Sequence, residues 1–405
     1  LFGHFSLNGE KAGADGMSPF QALTTAIAAQ VGTGNITGCA TALVSGGPGA
    51  LFWTWVSAFF GMATIYAEAV LAQHYKTTVN GHVTGGPAYY IRAAFKGKVG
   101  KVLATVFSVL IILALGFMGN MVQSNSIGDA FHNAFGLNRL AVGVVVAAIA
   151  AFIFLGGVQR IAAVTEKVVP IMAAFYILGC LVILVINAKA LPGALAQVFV
   201  LAFEPQAMAG GIAGVTVQQS MRFGVARGLF SNEAGLGSAP MAHAASETQE
   251  PVEQGMWGVF EVFIDTIVIC TLTSLAVILS GVLDVGLDSY ATNGAAAVAA
   301  FNAILPGTIG GTIIQISLLF FALSTILGWS YYGERCWAYL SNNNKAVVWV
   351  FKVVFVLVCI VGATGNGTLM WDISDTLNGM MAIPNLIGLL LLSNVIIRST
   401  NDYFK

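Results

Sequence analysis

Charge is scarce in this chain. Its 405 residues include 17 Lys and Arg against 18 Asp and Glu, a net charge of −1, which supplies neither a basic face for nucleic acid nor a field that selects an acidic partner. Cysteine is scarce too. Cys39, Cys180, Cys270, Cys336 and Cys359 stand singly in apolar surroundings without metal-ligand spacing, which suits small buried hydrophobes rather than disulfides or ligands. The five histidines, His4, His74, His82, His132 and His243, lie far apart, and the run Gly210-Gly211-Ile212-Ala213-Gly214 lacks the strand and the lysine of a phosphate loop. With no nucleophile, metal or phosphate motif, nothing supports an enzyme or an organic cofactor. Ten-residue strands of alternating polarity are absent, which leaves no case for an outer-membrane barrel.

What fills the sequence instead is apolar. Hydrophobic residues make up 57% of it and the mean hydropathy is +0.83, beyond what a soluble protein of this length shows. The chain reads as an all-α integral membrane protein with the lipid bilayer as its partner, and at about 20 residues per crossing it accommodates roughly ten helices. Hydropathy places spans near 18–44, 48–75, 103–131, 138–157, 164–188, 254–281, 307–337, 345–362 and 375–396, with a glycine-rich irregular region over 207–246. The chain starts at Leu1 rather than at methionine, so an upstream segment is expected.

The stretch from Thr24 to Phe52 reads as a membrane helix, yet it carries Gly32-Thr33-Gly34-Asn35 at its middle. Glycine costs about 1 kcal/mol relative to alanine inside a helix. The segment is therefore either broken there or packs through a glycine face. A break at mid-membrane depth points to a binding site, because unpaired backbone is tolerated only inside protein or along a polar cavity. Adding about 206 to the starts at 48, 103 and 138 lands close to the later spans, so the chain reads as two five-helix halves, inverted because five is odd. The repeat places a second break near Ser231-Asn232-Glu233-Ala234-Gly235-Leu236-Gly237. The expected organisation is a cytoplasmic segment over 1–17, a first repeat over 18–190, an inverted second repeat over 191–396 and a cytoplasmic tail over 397–405. Loop charge sets the orientation. Lys76, Arg92, Lys96, Lys98, Lys101, Arg160, Lys167, Arg335, Lys345, Arg398 and Lys405 fall on one side by parity, which the positive-inside rule makes the cytoplasm. The loop from His243 to Glu253 dissents with three glutamates, which weigh little in that rule.

At the first break, the amides following Gly34 and Asn35 open a half-helix and suit a carboxylate. The half-helix before it ends near Ala28 to Val31, whose free carbonyls suit a cation, and Thr33 and Asn35 add hard oxygen ligands. In the eighth span, the Phe321 carbonyl and the Ser324 and Thr325 hydroxyls can face one point, or the hydroxyls can bond back to their own helix. The embedded acids Glu68, Asp129, Glu233, Glu261 and Asp265 are functional candidates or bond neighbouring backbone. Of these, Glu233 is the stronger site candidate because it lies in the second break. Glu261 and Asp265, four apart on one helical face, would repel if both were ionised. Asn120, Gln123 and Ser124 share a face that lines the cavity or joins helices, and Trp329 walls the pocket or sits in an interface belt.

The chain also resembles the alanine or glycine:cation symporter family of prokaryotes, within the amino acid–polyamine–organocation superfamily. The resemblance rests on Gly46-Gly47-Pro48-Gly49-Ala50-Leu51-Phe52-Trp53, on Gly61-Met62-Ala63-Thr64 to Glu68, on Arg227-Gly228-Leu229-Phe230-Ser231-Asn232-Glu233-Ala234-Gly235 and on Asp265-Thr266. It implies a leucine-transporter-like fold of two inverted five-helix repeats with unwound first and sixth helices, which moves sodium and a small amino acid inward together. It also implies a sodium site formed by the Ala28, Val31 and Phe321 carbonyls with Ser324 and Thr325. Family members usually carry one more helix before the repeat, and Gln30 departs from the pattern of the sodium-coupled relatives.

These readings converge on a multi-pass transporter in a prokaryotic cell membrane, coupling Na+ to uptake of alanine and glycine. The substrate carboxylate is expected on the amides around Thr33, Gly34 and Asn35. Its ammonium is expected near Phe230, Ser231, Asn232 and Glu233, with Asn120, Gln123 and Trp329 shaping a small pocket. Two other readings use the same fold. One is a proton-coupled carrier working through Glu233 or Asp265, and the other is a sensor that binds amino acid without flux.

Overall fold

A computed structural model describes residues 16–79, 82–95, 97–204, 216–248, 250–285 and 293–405. Most of the expected N-terminal segment, the run Gly210 to Gly214 and Lys96 lie outside the described residues. Ser18 caps α1 (Pro19–Gln30) through a box with Gln21. The helix stops where Val31 leaves helical geometry at ψ 89°. The chain resumes as one wide turn over Gly34–Gly38 and continues as α2 (Cys39–Gly46), which ends at Gly47 with φ 69°. The first span is thus broken at the glycines, as its sequence anticipates.

The long helices in the rest of the first half follow the hydropathy. This part comprises α3 (Ala50–His74), a hairpin of β1 (Thr77–Val79) and β2 (His82–Thr84), and α4 (Pro87–Ala94). Next come α5 (Lys98–Ile111), joined through a wide π-helical segment Ile112–Gly119 to α6 (Asn120–Phe135), then α7 (Arg139–Phe154) and α8 (Gly157–Ile186). After α9 (Leu191–Phe203) the second half contains α10 (Val217–Asn232), α11 (Pro240–Ala244) and α12 (Pro251–Val262), which passes through a second π segment Phe263–Cys270 into α13 (Thr271–Leu279). It continues with α14 (Asn293–Ile304), α15 (Ile309–Leu340), α16 (Lys345–Thr364), α17 (Gly367–Leu391) and α18 (Ser393–Tyr403), the last bent 57° from α17. Among the described residues six helices are long and apolar enough to cross a membrane, and the bent pair makes a seventh.

Four departures from the sequence reading have a common cause in length and polarity. Helices α4, α9 and α14 have 8, 13 and 12 residues, too short for a span of about 20 to register them. The region 207–246, expected to be irregular, holds the 16-residue helix α10. Its Gln218, Gln219, Ser220, Arg222 and Arg227 mask it from hydropathy. It packs on α3 through Gly224, where a methyl group would lie 2.3 Å from the Ala50 carbonyl oxygen and 2.8 Å from Trp53 Cβ.

Packing places the breaks at the centre. Helix α3 lies between α10 and α12, α6 packs on α7, α15 and α16, and α1 is held between α8 and α15. One apolar core gathers Phe107, Trp329, Phe351 and Phe355, and a second gathers Ile27, Val31, Tyr176 and Phe321. Outward side chains such as Phe152, Ile171, Val185 and Leu390 are exposed, which fits a surface solvated by lipid. The chain before α1 pairs with the chain after α11, Met17 N–H donating to the Ala245 carbonyl and Glu247 N–H to the Met17 carbonyl, both at 2.9 Å. Lys76 donates to the Ser246 carbonyl at 3.0 Å beside them. Burial pushes the Lys76 ammonium below its ordinary value, against the pull of Glu247.

Candidate functional site

Both breaks are filled with polar groups, most of which bond one another. At the first, Gly32 N–H donates to Asn35 Oδ1 at 2.9 Å and Thr33 N–H to Gln123 Oε1 at 3.1 Å. The amides at this break are thus turned toward neutral oxygens, and Gln123 from α6 is placed against it. Thr33 Oγ1 is buried without a partner among the described residues. At the second break α10 ends on Asn232, and Glu233 takes the left-handed conformation with φ 55°. Glu233 accepts from Trp329 Nε1 at 2.5 Å and from the Ser238 hydroxyl. The two breaks are in contact, since a methyl group on Gly34 would lie 3.1 Å from the Phe230 ring and 3.4 Å from Ser231 Cα.

Asp265 ties the breaks together. Its Oδ1 accepts from Asn35 Nδ2 at 2.7 Å and from Ser231 Oγ at 3.1 Å, and its Oδ2 accepts from Thr266 Oγ1 at 2.7 Å. Asn232 Nδ2 donates to that same Thr266 hydroxyl at 3.2 Å. Glu261, four residues earlier, faces Gln30 and His243 instead. The π segment beginning at Phe263 separates the two carboxylates that an uninterrupted α-helix would put on one face. Glu68 from α3 bonds the Gly235 N–H at 3.1 Å and Asn385 of α17 at 2.5 Å. Asp129, in the second half of α6, is partly buried and paired with Arg139 at 3.0 Å.

A separate oxygen cluster joins α1 to α15. Thr325 Oγ1 lies 3.1 Å from the Ala28 carbonyl oxygen, 3.3 Å from that of Val31 and 3.0 Å from that of Phe321. Ser324 Oγ lies 2.8 Å from the Phe321 carbonyl oxygen and 3.5 Å from Met172 Sδ. The five residues expected to hold a cation are therefore gathered at one place, all buried. Oxygens from carbonyls and hydroxyls, with no thiolate or imidazole, are the hard donor set of an alkali cation.

Comparison with known proteins decides the family. A profile of the sodium:alanine symporter family matches residues 3–405. The chain belongs to the sodium:alanine symporter family. It is 46% identical over 401 residues to the sodium/alanine symporter AgcS of Methanococcus maripaludis, covering 98% of this chain and 87% of that protein. It is 41% identical over 393 residues to the probable sodium/glutamine symporter GlnT of Bacillus subtilis, covering 96% and 79%. The structure of MhsT in complex with L-phenylalanine superposes with a TM-score of 0.66 at 14% identity, over 97% of this chain and 99% of that one. The fold of this symporter-family chain is thus the leucine-transporter-like one, and it is a multi-pass membrane transporter rather than an enzyme.

Within this family member the remaining expected residues divide. Phe230 stands over the breaks, 6.2 Å from Trp329 edge-on and 4.5 Å from Trp371. Asn120 turns away from them and bonds α16, with Nδ2 3.0 Å from the Phe355 carbonyl oxygen and Oδ1 accepting from Cys359. It joins helices, the other role its face allowed. Sequence reasoning missed Trp371 and Asp375 on α17. Arg227 of α10 lies over the Trp371 ring at 4.7 Å and forms an ion pair with Asp375. The only signal was a membrane arginine and a membrane aspartate, which require partners at that depth.

Proposed function

We propose that this protein is a sodium-coupled symporter that carries alanine and glycine into a prokaryotic cell across the cell membrane. The observation that supports it most is the meeting of the Thr325 hydroxyl with the carbonyls of Ala28, Val31 and Phe321. Na+ taken between α1 and α15 exchanges the Thr325 hydrogen bonds for ion–oxygen contacts and holds the two helices together. The amino acid binds between the breaks. Its carboxylate meets the amides around Thr33, Gly34 and Asn35 and the unpartnered Thr33 hydroxyl. Its ammonium meets the Phe230 to Glu233 segment, where Glu233 supplies charge and the Ser231 and Asn232 side chains set position. Phe230, Trp329 and Gln123 bound a space for a small side chain. Coupling arises because ion and substrate both favour one arrangement of the breaks over the other. The repeat halves at 18–190 and 191–396 would bring the two breaks together at one site near mid-membrane depth.

A carrier that moves protons through Glu233 or Asp265 is less well supported. All four oxygens of these two carboxyl groups accept a hydrogen bond. The test is uptake of labelled alanine into proteoliposomes with and without an inward sodium gradient, with glycine, leucine and glutamine as competitors. Sodium-driven uptake blocked by glycine but not by leucine is the expected result. Uptake indifferent to sodium would remove the coupling ion, and competition by glutamine alone would replace the substrate.

A further inference from the structure

The inner half of the second broken helix is tied to the bundle by a buried pair that the transport reading leaves unused. His243 on α11 and Glu261 on α12 are both fully buried, with Nε2 3.1 Å from Oε1. His243 Nδ1 lies 2.7 Å from Gln254 Nε2. Gln30 Nε2 continues the chain, donating to Glu261 Oε1 at 3.0 Å and to the Asn232 carbonyl at 2.8 Å. One line of contacts therefore runs from α11 through α12 and α1 to the end of α10, touching both breaks.

This cluster has more acceptors than donors. With Gln254 donating to Nδ1, the imidazole carries its hydrogen on Nε2 and is neutral. Glu261 Oε2, Gln254 Oε1 and Gln30 Oε1 are then all buried without a partner among the described residues. Orphaned acceptors at this depth are costly, the carboxylate most of all. A half-turn of the Gln254 amide brings its Oε1 to Nδ1. A proton on Nδ1 donates to it, and an imidazolium then faces the carboxylate. The surrounding charges add to this. Glu68 from α3, Glu233 from the second break and Asp265 from the π segment all lie within coulombic reach of Glu261, as does Tyr332 of α15. Lys76 of α3 lies beyond them on the Ser246 carbonyl, Tyr331 of α15 reaches the Met241 carbonyl, and α18 brings Tyr403 to Glu253. The sequence of α1, Pro19 to Gln30, contains no charged residue. Three carboxyl groups thus surround the pair.

We propose that His243 and Glu261 form a proton site, and that the proton held there locks α11 against α12 and α1. The proton is bound more tightly while α11 is docked, so by linkage acid favours the docked arrangement and inward release slows as pH falls. This rests on the symport reading only for its readout by flux.

The test uses the full chain in proteoliposomes at saturating sodium, with the internal pH varied and the membrane potential clamped. The parent rate of alanine uptake falls at least about fivefold from about pH 8 to pH 6. In His243→Gln and Glu261→Gln the rate is flat across that interval. Gln254→Glu gives Nδ1 a carboxylate acceptor and keeps the rate low across the interval. A flat parent profile, or a parent-like midpoint in folded His243→Gln or in Gln254→Glu, overturns the proposal. If the parent carries no alanine, the sodium-induced change in tryptophan fluorescence is followed over the same pH series. A midpoint that moves with pH in the parent and not in the variants supports the proton site without the substrate assignment, and one that never moves overturns it.

Discussion

At the scale of single residues, Thr325 is where the two helices of the proposed ion site meet. Replacing it with alanine removes one oxygen ligand and leaves three carbonyls and the Ser324 hydroxyl, so the loss is that of one charge-assisted contact, about 1.5–3 kcal/mol. Thr325→Ala is therefore expected to raise the half-saturating sodium concentration at least about tenfold. The apparent affinity for alanine at saturating sodium stays near the parent value, and Thr325→Ser keeps both. A sodium titration of alanine uptake in the three proteins measures this, and an unchanged sodium requirement in Thr325→Ala would remove the site. Gly32 stands beside it, where a methyl group would lie 2.4 Å from Thr325 Oγ1 and 3.1 Å from Gln123 Oε1. Gly32→Ala is expected to assemble in membranes but to lose sodium-stimulated alanine binding, which a filter-binding assay reads directly. These residues were legible in the sequence because glycines and hydroxyls are conspicuous in apolar spans. The partners of Asp265 and Glu261 were not, because the π segment shifts their register in a way no α-helical periodicity anticipates.

At the scale of elements, the spans long enough for a bilayer were legible, and the paired breaks were placed by the spacing of the halves. Helix α10 was not, since its polar residues suit the site it lines rather than the lipid. Its stability comes from the close seat on α3. A side chain at Gly224 meets the Ala50 carbonyl oxygen at 2.3 Å, and backbone on that side cannot yield as a flexible side chain would. Gly224→Ala is thus expected to destabilise the fold by about 1–3 kcal/mol, the usual cost of overpacking. It should lower the thermal midpoint of the purified protein by several degrees, whereas Gly193→Ala, where a methyl group meets nothing within 4 Å, should leave it unchanged. Equal midpoints for the two variants would mean that α10 does not depend on this contact.

At the scale of the whole molecule, contacts bridge the bundle on both sides of the breaks. On one side of the breaks, the chain before α1 and the chain after α11 pair edge to edge beside Lys76. On the other side of the breaks, Phe230 and Trp371 cover the site, and above them Arg227 joins α10 to α17 through Asp375, with Nη1 3.3 Å from Oδ1. Arg227 is only 10% exposed, so its charge is balanced mainly by this carboxylate and by the two aromatic faces beneath it. Losing one partner leaves the other charge unpaired, which costs more than the pair contributes. Arg227→Gln and Asp375→Asn should therefore each favour the outward-open arrangement. Bound alanine then dissociates toward the outside at least about tenfold faster, while sodium binding is retained, because the α1–α15 cluster lies across the breaks from the lid. Exchange of external labelled alanine in proteoliposomes reads this rate. The double variant Arg227→Asp with Asp375→Arg should recover part of the slow release. If neither single variant speeds release, the ion pair holds α10 to α17 without gating the site, and the outer closure rests on Phe230 and Trp371 alone.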